Sequence, residues 1–226
     1  MRSSALVLVL LTLLVFVGGC ASFRTGVEGC MTAAGSKNLG AAEVKILFVF
    51  SHYEQAKGYD AIPLLQNKHQ IIRSFEDLFI DALKEITNVG RYDAFTEFAS
   101  DVGDTKRRDT LDSLVSVQDF VVRMTFNKEH SFVKHFLGTL FSTVSVTALP
   151  IPYSRDYSLN VNVHDKDGAL VGSYERKASL TKWVESLLIF VYPFYTEKRV
   201  EEEIYINFMH DVFRQMESEK VLILKE

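Results

Sequence analysis

The apolar residues at positions 44–50 form a nearly continuous run that only Lys45 interrupts. A strand covered on both faces has this pattern, because neither face then needs polar side chains. The run predicts a buried strand, and we place the start of the folded domain here.

Two later stretches, residues 71–86 and 200–216, repeat apolar residues at intervals of three and four. This spacing is typical of an amphipathic helix. We expect two long helices whose apolar stripes are formed by Ile71, Ile72, Phe75, Leu78, Phe79, Ala82, Leu83 and Ile86 and by Val200, Ile204, Phe208, Val212 and Met216. Residues 105–114 predict a short charged helix with little to bury.

From residue 120 onward, apolar residues alternate with polar ones, over residues 120–126, 143–148, 157–164 and 170–177. Asp167-Gly168 supplies turn chemistry between the last two stretches. The alternation predicts an antiparallel meander with one covered face and one polar face.

Residues 92–98 and 221–224 are two further candidate strands. All the elements together predict an α+β fold. We expect a mixed or mainly antiparallel sheet that includes the meander, with the two long amphipathic helices packed on one face. This layout resembles that of periplasmic lipoprotein domains such as the penicillin-binding-protein activators, and the resemblance implies no residue roles.

The N-terminus has the features of an export signal. Arg2 precedes an apolar stretch at residues 5–17, which is short for a membrane-spanning helix. Val17-Gly18-Gly19-Cys20 follows, and it resembles the lipobox of bacterial lipoprotein precursors. The resemblance implies cleavage before Cys20 and attachment of a diacylglycerol to its thiol. The alternatives are an ordinary secretory signal that ends near a cysteine, or an uncleaved anchor.

The same resemblance implies a location and a domain plan. Ala21 and Ser22 stand where an aspartate would favour the inner membrane. We therefore expect a lipid anchor on the periplasmic face of the outer membrane, or on the outer face of the plasma membrane if the source has one membrane. The plan is a signal peptide at 1–19, a lipidated cysteine and flexible tether at 20–42, and a single periplasmic domain at 43–226.

Composition narrows the possible partners and chemistry. The net charge is -4, and acidic and basic residues are mixed along the chain without a basic stripe. We therefore expect no nucleic-acid partner. Cys30 would be the one cysteine left after lipidation, and we interpret it as a free thiol. The six histidines do not cluster at ligand spacings, and no nucleophile or phosphate-loop motif is present, so we predict neither a metal site nor a cofactor. A pair of acids brought together by the fold stays open.

One uncharged segment is unusually aromatic. Residues 186–195 follow Trp183 closely and contain no charged side chain. We interpret the segment either as a buried crossover or as a contact surface for a membrane or partner, formed by Trp183, Phe190, Tyr192, Phe194 and Tyr195. Residues 132–151 are the second apolar stretch, and we expect them to be core.

These observations favour a non-enzymatic, membrane-anchored envelope protein that binds a protein partner or its own copies. Two alternatives remain at this point. One is an anchored hydrolase of the cell envelope, and the other is an oligomeric secretion or pore subunit.

Overall fold

The computed structural model describes residues 19–31, 35–60, 62–132, 137, 140, 151–185 and 196–224. Within them the strands are β1 Gly19–Arg24, β2 Val44–Lys57, β3 Leu64–Leu65, β4 Val89–Glu97, β5 Phe120–Ser131, β6 Ile151–Asp165 and β7 Leu170–Glu185. The α-helices are α1 Phe75–Leu83, α2 Thr105–Val115 and α3 Glu197–Ser218. Single 3-10 turns lie at Lys68–Gln70 and Ala99–Asp101.

The strands form one mixed sheet in the order β1-β7-β6-β5-β2-β3, and β4 also pairs with β2. β2 runs parallel to both β4 and β5, while the other pairs are antiparallel. The predicted α+β class is therefore confirmed at the level of a mixed, mostly antiparallel sheet with helices.

The central strand β2 has helices over both of its faces. Ile46, Phe48 and Phe50 point into the main core, whereas Leu47 and Val49 belong to a second, smaller cluster. All five side chains are almost completely buried. The prediction of a strand buried on both faces is confirmed. Because β2 pairs in parallel with β4 and β5, the chain crosses over between these strands and places a helix on each face of the sheet.

Helices α1 and α3 cover one face of the sheet and contact each other. The predicted apolar stripe of α3, whose five residues are spaced by four, is buried along its whole length, together with Tyr205, Met209 and Phe213. From α1, Phe75, Phe79 and Ala82 enter the same core.

Helix α2 lies on the opposite face of the sheet, where three of its apolar side chains contact the second, smaller cluster. Its Leu111, Leu114 and Val115 pack against the cluster of Leu47, Val49, Phe95 and Val121. Arg107 lies 4.2 Å from the centre of the Phe95 ring and donates to the carbonyl of Thr96 at 2.8 Å. These side chains are only partly buried, and no residue of the helix is fully buried, in agreement with the expectation that it has little to bury.

Two element predictions need correction. The first helix spans nine residues, not the whole of 71–86, because Ile71, Ile72 and Ile86 pack onto the core from non-helical backbone. Residues 221–224 form turns and loop, not a strand. The predicted strand at 143–148 lies outside the described residues.

The β6–β7 hairpin closes at a turn built on Asp165. Its carboxylate accepts the backbone N–H groups of Asp167 and Ala169 at 3.0 and 2.9 Å. Gly168 follows with φ of 79°, a left-handed conformation that glycine adopts without cost. The turn defines the register in which residues 157–163 face residues 172–178.

Candidate functional site

Cys20 lies in the first strand of the sheet. β1 pairs with the last part of β7, in a register that places Cys20 opposite Val184 and Ala21 opposite Trp183. The backbone of Cys20 is therefore hydrogen-bonded into the edge of the sheet. No free chain separates it from the folded domain.

The register also shows which other chain segments meet Cys20. Ile151, at the start of β6, is opposite Val184 as well. The strands β6 and β7 extend about four residues, roughly 13 Å, past the level at which His130 faces Arg155 near the end of β5. The two apolar sequence segments, which follow Ser131 and Glu185, therefore leave the sheet at the end where Cys20 is located. We call this the Cys20 end.

Several described apolar side chains at the Cys20 end are exposed to solvent. Tyr59 is 75% exposed and Ile62 is 68% exposed, both in the loop after β2. The ring of Tyr59 stacks on Phe132, which directly follows β5, at 5.1 Å between centroids. Further along the chain Leu137 and Leu140 are also exposed. Large apolar side chains grouped at one place on a surface are typical of an interaction site.

The charged side chains beside this end are held in ion pairs with the start of α3. Glu197 pairs with Arg155 of β6 and, at 3.2 Å, with Lys182 of β7. One turn later Glu201 pairs with Lys128 of β5 at 2.8 Å, and both side chains are mostly buried. Because these carboxylates lie in the first turns of α3, they also complement the helix dipole.

Residues 25–31 and 35–42, which we call the strap, run along the domain. The backbone of Glu28 exchanges two hydrogen bonds with Lys177 of β7, at 2.7 and 3.2 Å. Farther along, the N–H groups of Met31 and Asn38 donate to Asp211 and Glu217 of α3 at 3.1 and 2.7 Å. The described part of the segment expected to be a flexible tether thus contacts both the sheet and α3.

Two buried charges hold the strap. Arg176 of β7 is almost completely buried and donates to Asp211 at 2.6 Å. Glu217 is also buried, and it accepts from Asn38 and from the backbone and hydroxyl of Thr87. Such groups are stable inside a protein only when they are paired, so the strap satisfies charges that would otherwise face an uncovered surface.

His52 of β2 is a buried histidine of a different kind. Its ring lies 4.8 Å from both Phe126, on which it stacks, and Phe75, which it meets edge-on. Neither ring nitrogen has a hydrogen-bond partner among the described residues. Burial lowers the pKa of His52 to about 4. A neutral ring enclosed by aromatic side chains, with no carboxylate bonded to it, is a core residue and not a general base.

Two surface depressions lie along the sheet, and the lining of the first reaches Lys57 and Glu129 near the Cys20 end. One, of about 480 Å³, is on the uncovered polar face of the sheet and includes Asn127, Asp156 and Ser158 in its lining. The other, of about 840 Å³, lies at the opposite end of the sheet between the β6–β7 hairpin and the residues after α3, where Leu170 and Ile223 line it. In the first, the hydroxyl of Ser179 donates to the carboxylate of Asp156 at 2.6 Å.

Among the described residues, no three His, Cys, Asp or Glu side chains are close enough to hold a metal ion. In that same part of the chain, no helix combines the length and the apolar content that crossing a membrane requires.

Of the residues proposed from the sequence as a contact surface, the structure describes Trp183 alone. It lies on β7 opposite Pro152 and Ala21, and it is partly exposed. Phe190, Tyr192, Phe194 and Tyr195 lie outside the described residues. Tyr59 and Ile62 were missed. They stand in a Gly- and Pro-bounded loop, where apolar residues that follow no helical or strand period are a signal of surface contact.

Comparison with known proteins identifies no family. No family model matches the sequence, and no curated protein matches it. Among solved structures, the PelC dodecamer from Paraburkholderia phytofirmans in space group P6 has a TM-score of 0.31 at 11% identity, covering 88% of this chain and 98% of that one. A PelC variant in space group C2 gives 0.31 at 12%, with coverage of 86% and 99%. A neuraminyllactose-binding hemagglutinin homolog from Helicobacter pylori gives 0.41 at 9%, with coverage of 85% and 95%. These values are too low to support an inference about function.

Proposed function

We propose that the chain is a lipid-anchored protein of the bacterial envelope that binds a protein partner or its own copies, without enzymatic activity. Cys20 carries the lipid, and the signal peptide ends at Gly19. The single observation behind this proposal is the position of the lipobox cysteine. It stands at the first strand of the sheet, at the end where the two apolar segments begin and where exposed apolar side chains are grouped.

The location follows from the residues next to the anchor. Ala21 and Ser22 lack the aspartate that favours retention at the inner membrane, so the protein belongs on the periplasmic face of the outer membrane. In a bacterium with one membrane, the same anchor holds the domain on the outer face of that membrane.

The anchor is tested by replacing Cys20. We expect Cys20→Ser to leave the precursor unprocessed and without lipid, whereas the wild type incorporates labelled fatty acid and sediments with membranes. Cys30→Ser is the matched control, because Cys30 is exposed and lies ten positions later. The control should be lipidated normally. Lipid on the Cys20→Ser protein, or normal processing of it, would contradict the proposal.

The binding role is tested separately on the lipidated protein. After gentle solubilisation, its mass in solution and the proteins that co-purify with it are measured. We expect either a defined oligomer or a partner recovered in fixed proportion. A lipidated protein that is monomeric and is recovered alone would retain the anchor but contradict the assembly role.

A further inference from the structure

Exposed apolar side chains come from two parts of the chain that meet at the Cys20 end. Tyr59 and Ile62 belong to the loop after β2, and Phe132, which is 39% exposed, directly follows β5. The stacking of Tyr59 on Phe132 joins the two parts. Lys57 and Ser131, the last residues of β2 and β5, are neighbours in the parallel register. The loop and the segment after β5 therefore leave adjacent strands in the same direction.

The charges next to this surface are paired within the protein. Lys57 pairs with Glu129, and Lys128 pairs with Glu201. The carboxylate of Asp60, between Tyr59 and Ile62, accepts the N–H of Ala56 at 3.1 Å. Among the described residues, these pairs leave neither a basic patch that would attract anionic lipids nor an acidic patch that would repel them. The partner that such a surface fits is apolar, and electrostatic attraction contributes little to the contact.

The position of Cys20 indicates that a membrane covers this surface. Because its backbone is paired with Val184, an acyl chain on its thiol starts at the sheet itself and not at the end of a free linker. The lipid then holds the Cys20 end against the bilayer. In contrast, Leu170 in the β6–β7 hairpin lies at the opposite end of the sheet, where Phe120 begins β5 and faces Asp165.

We propose that the Cys20 end lies on the bilayer surface, with Tyr59, Ile62 and Phe132 inserted at the boundary between headgroups and acyl chains. This proposal rests on the lipidation of Cys20. It adds a direct contact between protein and lipid, and it fixes the orientation of the domain: the polar turn of the β6–β7 hairpin points away from the membrane. Apolar side chains inserted at an interface bind by burial of area, so the contact does not depend on lipid charge.

The test uses the full lipidated protein in phosphatidylcholine vesicles that contain brominated phosphatidylcholine, which quenches tryptophan on contact. Trp183 is the single tryptophan, so a Trp183→Phe chain provides a silent background. Ile62→Trp and Phe132→Trp report on the Cys20 end. Leu170→Trp is the matched control, because Leu170 is 58% exposed and lies at the opposite end.

We expect quenching of the reporters at positions 62 and 132, and none at position 170. High salt, or replacement of half the lipid by phosphatidylglycerol, should leave this pattern unchanged. Equal quenching at all three positions would show a domain that tumbles freely on its anchor and would overturn the proposal. Absence of quenching at position 62 would overturn it too, and is the result expected if a protein partner covers this end. A chain that carries no lipid and does not float with the vesicles would overturn both this proposal and the proposed function, and mass spectrometry of the N-terminus distinguishes that case.

Discussion

Individual buried polar residues divide into two groups by how they are satisfied. Arg176 and Glu217 are charged and have several partners each. Glu217 accepts directly from Asn38 of the strap, whereas Arg176 donates to Asp211, which in turn accepts from Met31 of the strap. His52 has no hydrogen-bond partner among the described residues and is surrounded by Phe75, Phe126 and Tyr205. Among the described residues, its ring contacts aromatic rings and no group that would stabilise a positive charge by a hydrogen bond. Its neutral form is therefore the one that the fold accommodates.

The pH dependence of stability should show this. The pKa of His52 is lowered from 6.5 to about 4 in the folded protein. As the pH falls from about 6.5 to about 4, the unfolded chain binds a proton at this position while the folded chain does not, so the free energy of unfolding decreases. At about 1.36 kcal/mol per pKa unit, the full loss is about 3 kcal/mol, complete near pH 4.

His52→Phe should remove this part of the acid sensitivity. Phe keeps an aromatic ring between the same neighbours and cannot be protonated. We expect the difference in unfolding free energy between about pH 7.5 and about pH 4.5 to be smaller in the variant by about 3 kcal/mol, measured by urea titration at each pH. The exposed His69→Phe is the control and should keep the wild-type dependence. The burial argument is wrong if His52→Phe loses as much stability in acid as the wild type.

At the scale of elements, α3 is stabilised differently at its two ends. Its first turns pair Glu197 and Glu201 with basic residues of β5, β6 and β7. After its last turn, Lys220 adopts φ of 56° in the left-handed region, and the N–H of Val221 donates back to Met216 at 3.2 Å. This is the hydrogen-bond pattern in which most helices place a glycine. A lysine in this position carries the steric cost of its Cβ.

Lys220→Gly is therefore expected to stabilise the protein by about 1 kcal/mol. The side chain of Lys220 is exposed and forms no hydrogen bond or ion pair with the described residues, so its removal costs little stability. Lys220→Ala keeps the Cβ and should change the stability much less. Thermal melts of the three proteins at one pH provide the measurement. Equal melting temperatures for the Gly and Ala variants would show that the left-handed backbone costs nothing here.

The elements also show what the sequence pattern could and could not predict. The spacing of four along α3 and the apolar run of β2 both correspond to buried faces, because packing alone decides them. The same kind of spacing overestimated α1. Ile71 and Ile86 are in contact with the core, so the period reported burial correctly but not helical backbone. For α2, the spacing of Leu111, Leu114 and Val115 was a usable signal that its many charges concealed.

For the whole molecule, the sequence predicted the parts of the candidate site but not their arrangement. The lipobox and the aromatic segment after Trp183 can be found by inspection. That Cys20, Ile151 and Glu185 meet at one end of the sheet depends on the pairing of β1 with β7, between residues more than 150 positions apart. A short strand of mostly small residues, such as β1, carries no period from which such pairing could be predicted.

The strap shows the same limitation and gives the last prediction. A flexible tether could be removed without effect on the domain, whereas this segment supplies backbone donors to Asp211 and Glu217. We compare a chain that begins after residue 19 and carries Cys20→Ser with a chain that begins at Glu43. Deleting the segment leaves buried carboxylates with fewer partners and uncovers the edge of β7, so the free energy of unfolding should fall by about 3 kcal/mol or more. In the longer chain, Asn38→Ala removes the 2.6 Å hydrogen bond to the carbonyl of Glu217 and should cost about 1 kcal/mol. Gly40→Ala in the same background is the control, since an added Cβ at Gly40 has no atom within 4 Å. Urea unfolding of each chain gives the comparison. If the chain beginning at Glu43 is as stable as the longer one, the segment is a tether after all, and Cys20 is then free to hold the domain at a distance from the membrane.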